Sequence, residues 1–258
     1  MKYFIYAMAI AVAVTSCKKS DVSSFNAAVK APLSIEFDNI AGSADLQLNT
    51  GTYTNASGEN LKITKFKYYV SNFILTNTDG TTYTVPQDSS YFLIDESVSA
   101  SREPLLQVPE GEYKTLRFTV GVDSLRNTMD VSKRTGVLDP TGAAADMYWG
   151  WNSGYIFLKL EGTSGTTNFM YHVGGFGGYN AATANNLRTI TLDLSARGNA
   201  KVKAGKSTNV HLFADALKVI SGTTNVSIAG LPAIHSIAPG TALANNYVSM
   251  FRHDHTEN

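Results

Sequence analysis

Cysteine is almost absent from this sequence, and its scarcity excludes several kinds of chemistry. The 258 residues contain one cysteine, Cys17. A single thiol cannot form a disulfide within the chain, a Cys-x-x-Cys-His haem attachment site, or a thiolate cluster for zinc or iron–sulfur. The sequence also lacks Gly-x-Ser-x-Gly, His-Glu-x-x-His and glycine-rich phosphate-loop motifs. We therefore expect a binding protein and not an enzyme.

Charge is scarce as well. Lys and Arg total 21, Asp and Glu total 21, and only 16% of the residues are charged. Without a basic stripe, the chain is not expected to bind nucleic acid. Long helix-periodic stretches are missing, whereas Gly, Thr, Asn and Tyr are abundant. This composition is typical of an all-β protein that works outside the cytoplasm.

The N-terminus has the pattern of a targeting segment. Lys2 precedes an apolar run over residues 4–14, which is too short to span a bilayer as a mature helix. The run leads into Thr15-Ser16-Cys17, which resembles a bacterial lipobox, although an ordinary signal peptide with an incidental cysteine is the alternative. We predict an outer-membrane lipoprotein, facing the periplasm or the cell surface, anchored by a lipid on Cys17. The predicted parts are a signal peptide (1–16), a lipidated tether (17–31) and one domain (32–258).

Alternation of apolar and polar residues dominates the rest of the chain. The clearest strand places Leu116, Phe118 and Val120 on one face, and about ten such segments are joined by short connections. Between Ile63 and Phe66 the apolar parity switches, which predicts a β-bulge. The pattern predicts an all-β fold, a single antiparallel β-sandwich of Greek-key type. One or two short helices are expected, in the irregular segment 139–145 and in the segment 214–220, for which the end of a strand is the alternative.

Two tryptophans, Trp149 and Trp151, flank Gly150 and would point to one face of an extended chain. Further along, Phe169, Tyr171 and Val173 share one strand face, which leaves Met170 and His172 on the other. Imidazole and thioether are ligands that copper prefers in its reduced state. The alternatives are core or rim packing for the tryptophans, and a surface histidine beside a gap-filling methionine.

The remaining histidines offer further ligands. His253 and His255 are two residues apart near the C-terminus and would project from one side of an extended segment to share a metal, unless the segment is a frayed tail. Asp254 lies between them. His211 has the opposite parity to its apolar neighbours and should face outward. His235, in a proline-flanked stretch, could approach the His172 site.

Four segments in order resemble the MbnP-like family of copper-binding proteins, as represented by lipoproteins of the Bacteroidetes. They are 61–75 (with Tyr68-Tyr69-Val70-Ser71-Asn72-Phe73), 109–122, 147–162 (with Met147-Tyr148-Trp149-Gly150-Trp151) and 171–174. The resemblance implies a periplasmic or surface copper-binding protein with a di-haem peroxidase-like maturation partner. That partner would oxidise Trp149 or Trp151 to kynurenine, and His172 would be a copper ligand.

The leading hypothesis is a cell-envelope lipoprotein that binds copper through an oxidised tryptophan plus histidine. Its candidate ligands are Trp149, Trp151, Met170, His172, His253 and His255. An unmodified indole nitrogen has no free lone pair, so the tryptophans need modification before they can coordinate. The alternatives are a surface adhesion or glycan-binding β-sandwich without metal, whose exposed Tyr and Trp would stack on sugars, and a structural subunit of an envelope assembly.

Overall fold

The computed structural model describes residues 24–151 and 154–258. This part of the chain contains sixteen strands and two short α-helices. The strands are β1 (Lys30–Ala41), β2 (Ala44–Asp45), β3 (Tyr53–Thr54), β4 (Asn60–Asn77), β5 (Thr82–Thr84), β6 (Tyr91–Asp95), β7 (Leu105–Pro109), β8 (Gly111–Val120), β9 (Tyr148–Trp149), β10 (Gly154–Ser164), β11 (Thr167–Gly174), β12 (Arg188–Asp193), β13 (Ala200–Val202), β14 (Thr208–Asp215), β15 (Ala233–Ile234) and β16 (Phe251–Glu257). The helices are α1 (Ser124–Thr128) and α2 (Gly240–Asn246).

The strands form two sheets that pack face to face. The smaller sheet has the order β16-β14-β1-β2, with β7 also paired to β1. The larger sheet has the order β12-β8-β4-β10-β11-β15, and β3, β5, β6, β9 and β13 pair with its members. Phe37 of the smaller sheet meets Phe118 of the larger one with ring centroids 5.6 Å apart. One continuous apolar core therefore lies between the sheets.

Alternation along each strand decides which side chains enter this core. In β1, Leu33, Ile35 and Phe37 are fully buried, whereas the residues between them are partly exposed. Each such side chain contributes about 1.5–3 kcal/mol of transfer free energy to the folded state. The same alternation in β11 and β14 leaves every second residue on the outer face of its sheet, away from the core.

The all-β sandwich with short helices is confirmed. The expectation that its strands are all antiparallel is corrected, because two strand pairs, β1–β14 and β11–β15, are parallel. The parity switch in β4 is a bulge, because Glu161 pairs with Lys65 whereas Gly162 pairs with Ile63, which leaves Thr64 as the extra residue.

The two α-helices lie outside the segments in which helices were expected. The segment 139–145 is a run of turns that ends in a 3-10 turn, and β14 is followed directly by another 3-10 turn at Ala216–Val219. Asp123, whose side chain accepts a hydrogen bond from the Arg126 amide, caps α1.

A second, smaller core covers part of the outer face of the larger sheet. The chain between β8 and β10 folds back over this face, and its Met147 and Trp149 pack with Tyr69, Tyr155 and Phe157 from β4 and β10. The Tyr155 hydroxyl donates to the Leu138 carbonyl at 2.6 Å and so holds the covering segment in place. The tryptophan run therefore lies on the outer face of the larger sheet.

The predicted signal peptide and Cys17 lie outside the described residues, so the lipid anchor stays a prediction. Within the described residues, no helix has the length and apolar character needed to cross a membrane.

Candidate metal centre

His172 lies on the outer face of the larger sheet. Its neighbours Tyr171 and Val173 are fully buried in the main core, so the pleat of β11 turns His172 to the other side. The His172 side chain is only 12% exposed, because the surrounding outer face is itself covered. Met170 shares this face and is partly exposed.

His235 is brought to His172 by the pairing of β11 with β15. Met170 pairs with Ala233 and Tyr171 with Ile234 in parallel, so the next residue along the chain is a histidine in both segments, within β11 and directly after β15. The Nδ1 atoms of His172 and His235 are 3.2 Å apart, and the two rings are nearly perpendicular. The Met170 amide donates to the Pro232 carbonyl at 2.9 Å, which fixes the approach of β15.

Glu161 holds His172 from the other side. It lies on β10, and its Oε1 atom is 2.7 Å from His172 Nε2. A carboxylate at Nε2 keeps the proton on that nitrogen and leaves the Nδ1 lone pair directed toward His235. Burial lowers the pKa of His172 below its ordinary value, while the hydrogen bond to Glu161 opposes that shift. His172 is thus an oriented, neutral imidazole near pH 7.

An ion pair between a buried lysine and a partly exposed aspartate lies next to this site. Lys159, which pairs with His172 across β10 and β11, is only 4% exposed, and its Nζ atom is 2.6 Å from Asp146 Oδ1. Burial acts to raise the pKa of Asp146, but the hydrogen bond and charge of Lys159 outweigh it and lower that pKa to about 2. Asp146 thereby ties the covering segment to the sheet just before the tryptophans.

The two tryptophans occupy different environments. Trp149 is 5% exposed, and its ring lies on Gly174, where an added Cβ would come within 2.7 Å of Trp149 Cζ3. Gly174 is two residues beyond His172 on β11, so Trp149 covers the same sheet face. Trp151 is 66% exposed and packs against Trp149 with ring centroids 5.2 Å apart. It also lines an open cavity of about 730 Å³ with Tyr179.

The structure does not bring His253 and His255 to His172. Both lie on β16, which pairs with β14 in the smaller sheet. His255 pairs with His211, whose neighbours Val210 and Leu212 point into the core, so this pair faces outward from the opposite sheet. The expectation that His253 and His255 complete the His172 site is therefore corrected, because the whole core separates the two faces.

Alternation in the sequence identified His172 and Met170 but did not identify Glu161. The position of Glu161 could have been deduced from the β10–β11 hairpin, where Ser164 pairs with Thr167 around a two-residue turn. Counting back from that turn places Glu161 opposite Met170, diagonally beside His172. The sequence carried no local signal for the pairing of β15, since this strand has only two residues.

Fold and site together define a β-sandwich protein with a paired-imidazole site on the outer face of one sheet. The chain belongs to the MbnP family, whose sequence profile matches residues 30–236. The structure is similar to that of MbnP from Methylosinus trichosporium, with a TM-score of 0.55 and 18% sequence identity over 82% of this chain and 87% of the other. At this identity the likeness shows the fold alone. Curated protein sequences give no match.

Family membership supports a copper-associated role for this chain. The matched residues include His172, His235 and both tryptophans, and they end before β16. The family match thus covers the imidazole pair and leaves the C-terminal histidines outside.

Proposed function

We propose that this protein binds copper without catalysing a reaction, and that His172 and His235 hold the ion. The separation of 3.2 Å between their Nδ1 atoms is the observation that carries this proposal. Imidazole nitrogens bind first-row metal ions at about 2.0–2.1 Å, so one ion can join two nitrogens that are up to about 4 Å apart. The pair satisfies this condition without a movement of either strand.

The ligand types favour copper over harder ions. Two imidazoles suit copper as well as zinc, but a thioether selects the softer cuprous ion. Met170 lies on the same face of β11 as His172 and is accessible at the surface. Family membership supports the same choice. Glu161 contributes by orienting His172, whose side chain is largely buried, whereas His235 and Met170 are exposed and leave the site accessible from solvent.

Trp149 is the tryptophan that fits a modified copper ligand. It covers the face that bears His172, whereas Trp151 is directed to solvent. With two molecules of hydrogen peroxide as the oxidant, a di-haem peroxidase-like partner would add two oxygen atoms across the C2–C3 bond of the indole, break that bond and release two molecules of water. Water would then remove the formyl group as formic acid and leave kynurenine, whose arylamine and carbonyl groups can coordinate. The exposed Trp151, in contact with Trp149, offers the partner an oxidisable group at the surface.

Copper titration of the purified, metal-free protein tests the site. We expect one cuprous ion per chain, and we expect His172→Ala and His235→Ala each to weaken binding by more than about 100-fold, since each removes a direct ligand. His253→Ala is the matched control and should bind like the wild type. Wild-type affinity in both His172→Ala and His235→Ala would overturn the proposed site.

Intact mass tests the modification separately. The mass of protein produced with its partner should show the net replacement of one carbon by one oxygen. Trp149→Phe should abolish that mass change, whereas Trp151→Phe should retain it, because Trp149 is still present. An unmodified mass would remove the kynurenine ligand and leave the histidine site standing.

We also propose that the protein is an outer-membrane lipoprotein, anchored by a lipid on Cys17 and facing the periplasm or the cell surface. The lipobox-like segment before Cys17 supports this. Labelling of cells with a radioactive fatty acid should mark the wild type and not Cys17→Ala. Equal labelling of the two would contradict the anchor.

Glycan binding is the alternative function, and one observation favours it. Trp151 and Tyr179, both largely exposed, line the same open cavity, and aromatic faces of this kind can stack on sugar rings. Glycan-array binding that survives a copper chelator and disappears in Trp151→Ala would support this alternative.

A further inference from the structure

Three polar side chains meet on the outer face of the smaller sheet, on the opposite side of the molecule from His172. Asp254 Oδ2 lies 2.8 Å from His255 Nδ1 and 3.4 Å from His211 Nδ1. The imidazole rings of His211 and His255 are stacked, with centroids 4.8 Å apart and an interplanar angle of 25°. Two imidazoles and a carboxylate from two strands therefore share one location.

A β-bulge creates this arrangement. Leu212 pairs with His253 whereas His211 pairs with His255, so Asp254 is the extra residue in β16. A bulge changes the direction of the side chain beside it. In a regular strand Asp254 and His255 would point to opposite faces, but here both reach His211. The bulge also separates His255 from His253, whose Nε2 atom lies 2.9 Å from the Thr256 hydroxyl instead.

His211 is mostly buried, and its Nδ1 nitrogen has no hydrogen-bond partner among the described residues. Its side chain is 14% exposed, and the 3.4 Å contact between its buried Nδ1 atom and Asp254 Oδ2 does not have the geometry of a hydrogen bond. A buried polar atom without a partner is costly and calls for a ligand or an ion. The Nε2 side of the ring faces the carboxylates of Glu36 and Asp38 at 3.8 and 3.7 Å.

The charge around the cluster favours a cation. Glu36 and Asp38 come from β1, and Glu257 Oε1 lies 3.5 Å from His255 Nε2. Arg197 is a positive group 3.6 Å from Asp254 Oδ1, and it is largely exposed. Carboxylates on the far side of metal-binding imidazoles fix their orientation and raise their basicity.

We infer that His211, Asp254 and His255 form a second metal site, which takes a divalent ion of the zinc class. Ligands of a tetrahedral ion with bonds of 2.0–2.1 Å lie about 3.3 Å from one another. The distance from Asp254 to His211 already matches that value, and the distance to His255 has to open by about half an ångström. The set contains no sulfur, which suits zinc and not the cuprous ion proposed for the first site.

Three protein ligands leave room for water or for a further group, as in zinc sites that are not closed by four side chains. The second site does not depend on the copper proposal, because the two clusters share no residue and lie on opposite sheets. Either site can therefore fail without affecting the other.

Zinc binding to the full, metal-free chain tests the inference. Equilibrium dialysis against Zn²⁺ is best done in the double variant His172→Ala, His235→Ala, which lacks the first site. We expect this protein to bind one zinc ion per chain. Adding His255→Gln or Asp254→Asn should weaken that binding at least tenfold, whereas the matched change His253→Gln on the same strand should have no effect.

Melting temperature provides an independent readout. Zinc binds only the folded state, so it should raise the melting temperature of the double variant, and this rise should disappear when His255→Gln is added. The inference is overturned if the double variant binds no zinc, if His255→Gln and Asp254→Asn bind it as tightly as their parent, or if His253→Gln weakens binding to the same extent. Both test positions lie at the surface, and circular dichroism without metal checks that each variant is folded.

Discussion

Replacement of Glu161 by glutamine should weaken copper binding at the His172–His235 site without removing a ligand. Glutamine keeps the shape of the side chain but loses the charge that accepts the Nε2 proton of His172 at 2.7 Å. A hydrogen bond to a charged group is worth about 1.5–3 kcal/mol, and both side chains are mostly buried, so screening by water is modest. Loss of a carboxylate that orients a metal-binding histidine typically costs 10–100-fold in affinity, or about 1.4–2.8 kcal/mol. The two estimates agree.

Competition between copper and a chelating indicator of known affinity measures this change. Burial lowers the pKa of His172, so at about pH 7.5 the imidazole is neutral and protons do not compete with the metal. Under these conditions the difference between wild type and Glu161→Gln reports the orientation and basicity of the ligand alone.

Glu112→Gln is the matched control for this experiment. Glu112 also accepts a hydrogen bond from a side chain, that of Asn199 at 3.0 Å, but it lies on β8 and not beside the imidazole pair. Its replacement should leave copper affinity unchanged. If Glu161→Gln binds copper as tightly as the wild type while His172→Ala does not, Glu161 does not orient the ligand and the reasoning is refuted.

Three further predictions concern stability and are checked by chemical denaturation. Trp149→Ala should lower the free energy of unfolding by about 3–5 kcal/mol because it empties part of the outer core, whereas Trp151→Ala should cost less than about 1.5 kcal/mol; equal losses would contradict their different burial. Asp146→Ala should lower the free energy of unfolding by about 2 kcal/mol, because buried Lys159 loses its carboxylate partner; the loss is moderated because the Asp146 side chain is partly exposed to water. An unchanged free energy of unfolding would show that the pair contributes nothing. Hydrogen bonds outweigh the opposing effect of burial and lower the pKa of Glu59 from 4.5 to about 2, so the stabilisation by Glu59 is present at pH 7 and is lost as the pH drops from about 5 to 2. Glu59→Gln should therefore lose about 1–2 kcal/mol at pH 7 and should show a smaller acid-dependent fall in stability than the wild type; parallel pH curves for the two proteins would argue against it.

Features that depend on neighbouring residues could be predicted from the sequence. Alternation places His172 and Met170 on the outer face of β11, and the parity switch before Phe66 corresponds to the bulge in β4. Both follow from the two-residue period of a strand, which any short window of sequence reveals. The outward direction of His211 has the same origin.

Features that depend on distant pairing could be predicted only in part. The sequence suggested that His235 could approach the His172 site, and the structure places it there, but the two-residue strand whose parallel pairing brings it to His172 leaves no periodic signal. The bulge at Asp254 likewise adds one residue to β16 without a mark in the sequence, and it changes which of the C-terminal histidines face His211. The register between strands that are far apart in the sequence is fixed by the packing of the whole sandwich, and a short window of sequence holds no information about that packing.

The parallel pairing of β1 with β14 sets the order in which the molecule can fold. Leu33 pairs with Thr208, and β16 then adds to β14, so the smaller sheet needs strands from both ends of the domain. Contacts between residues this far apart form slowly, because the chain must lose much of its freedom before they stabilise it. Until β14 has been made, one edge of β1 is unpaired, and an unpaired strand edge can pair with other chains. The protein should therefore fold after its chain is complete, and the unfinished smaller sheet should be the stage most prone to aggregation.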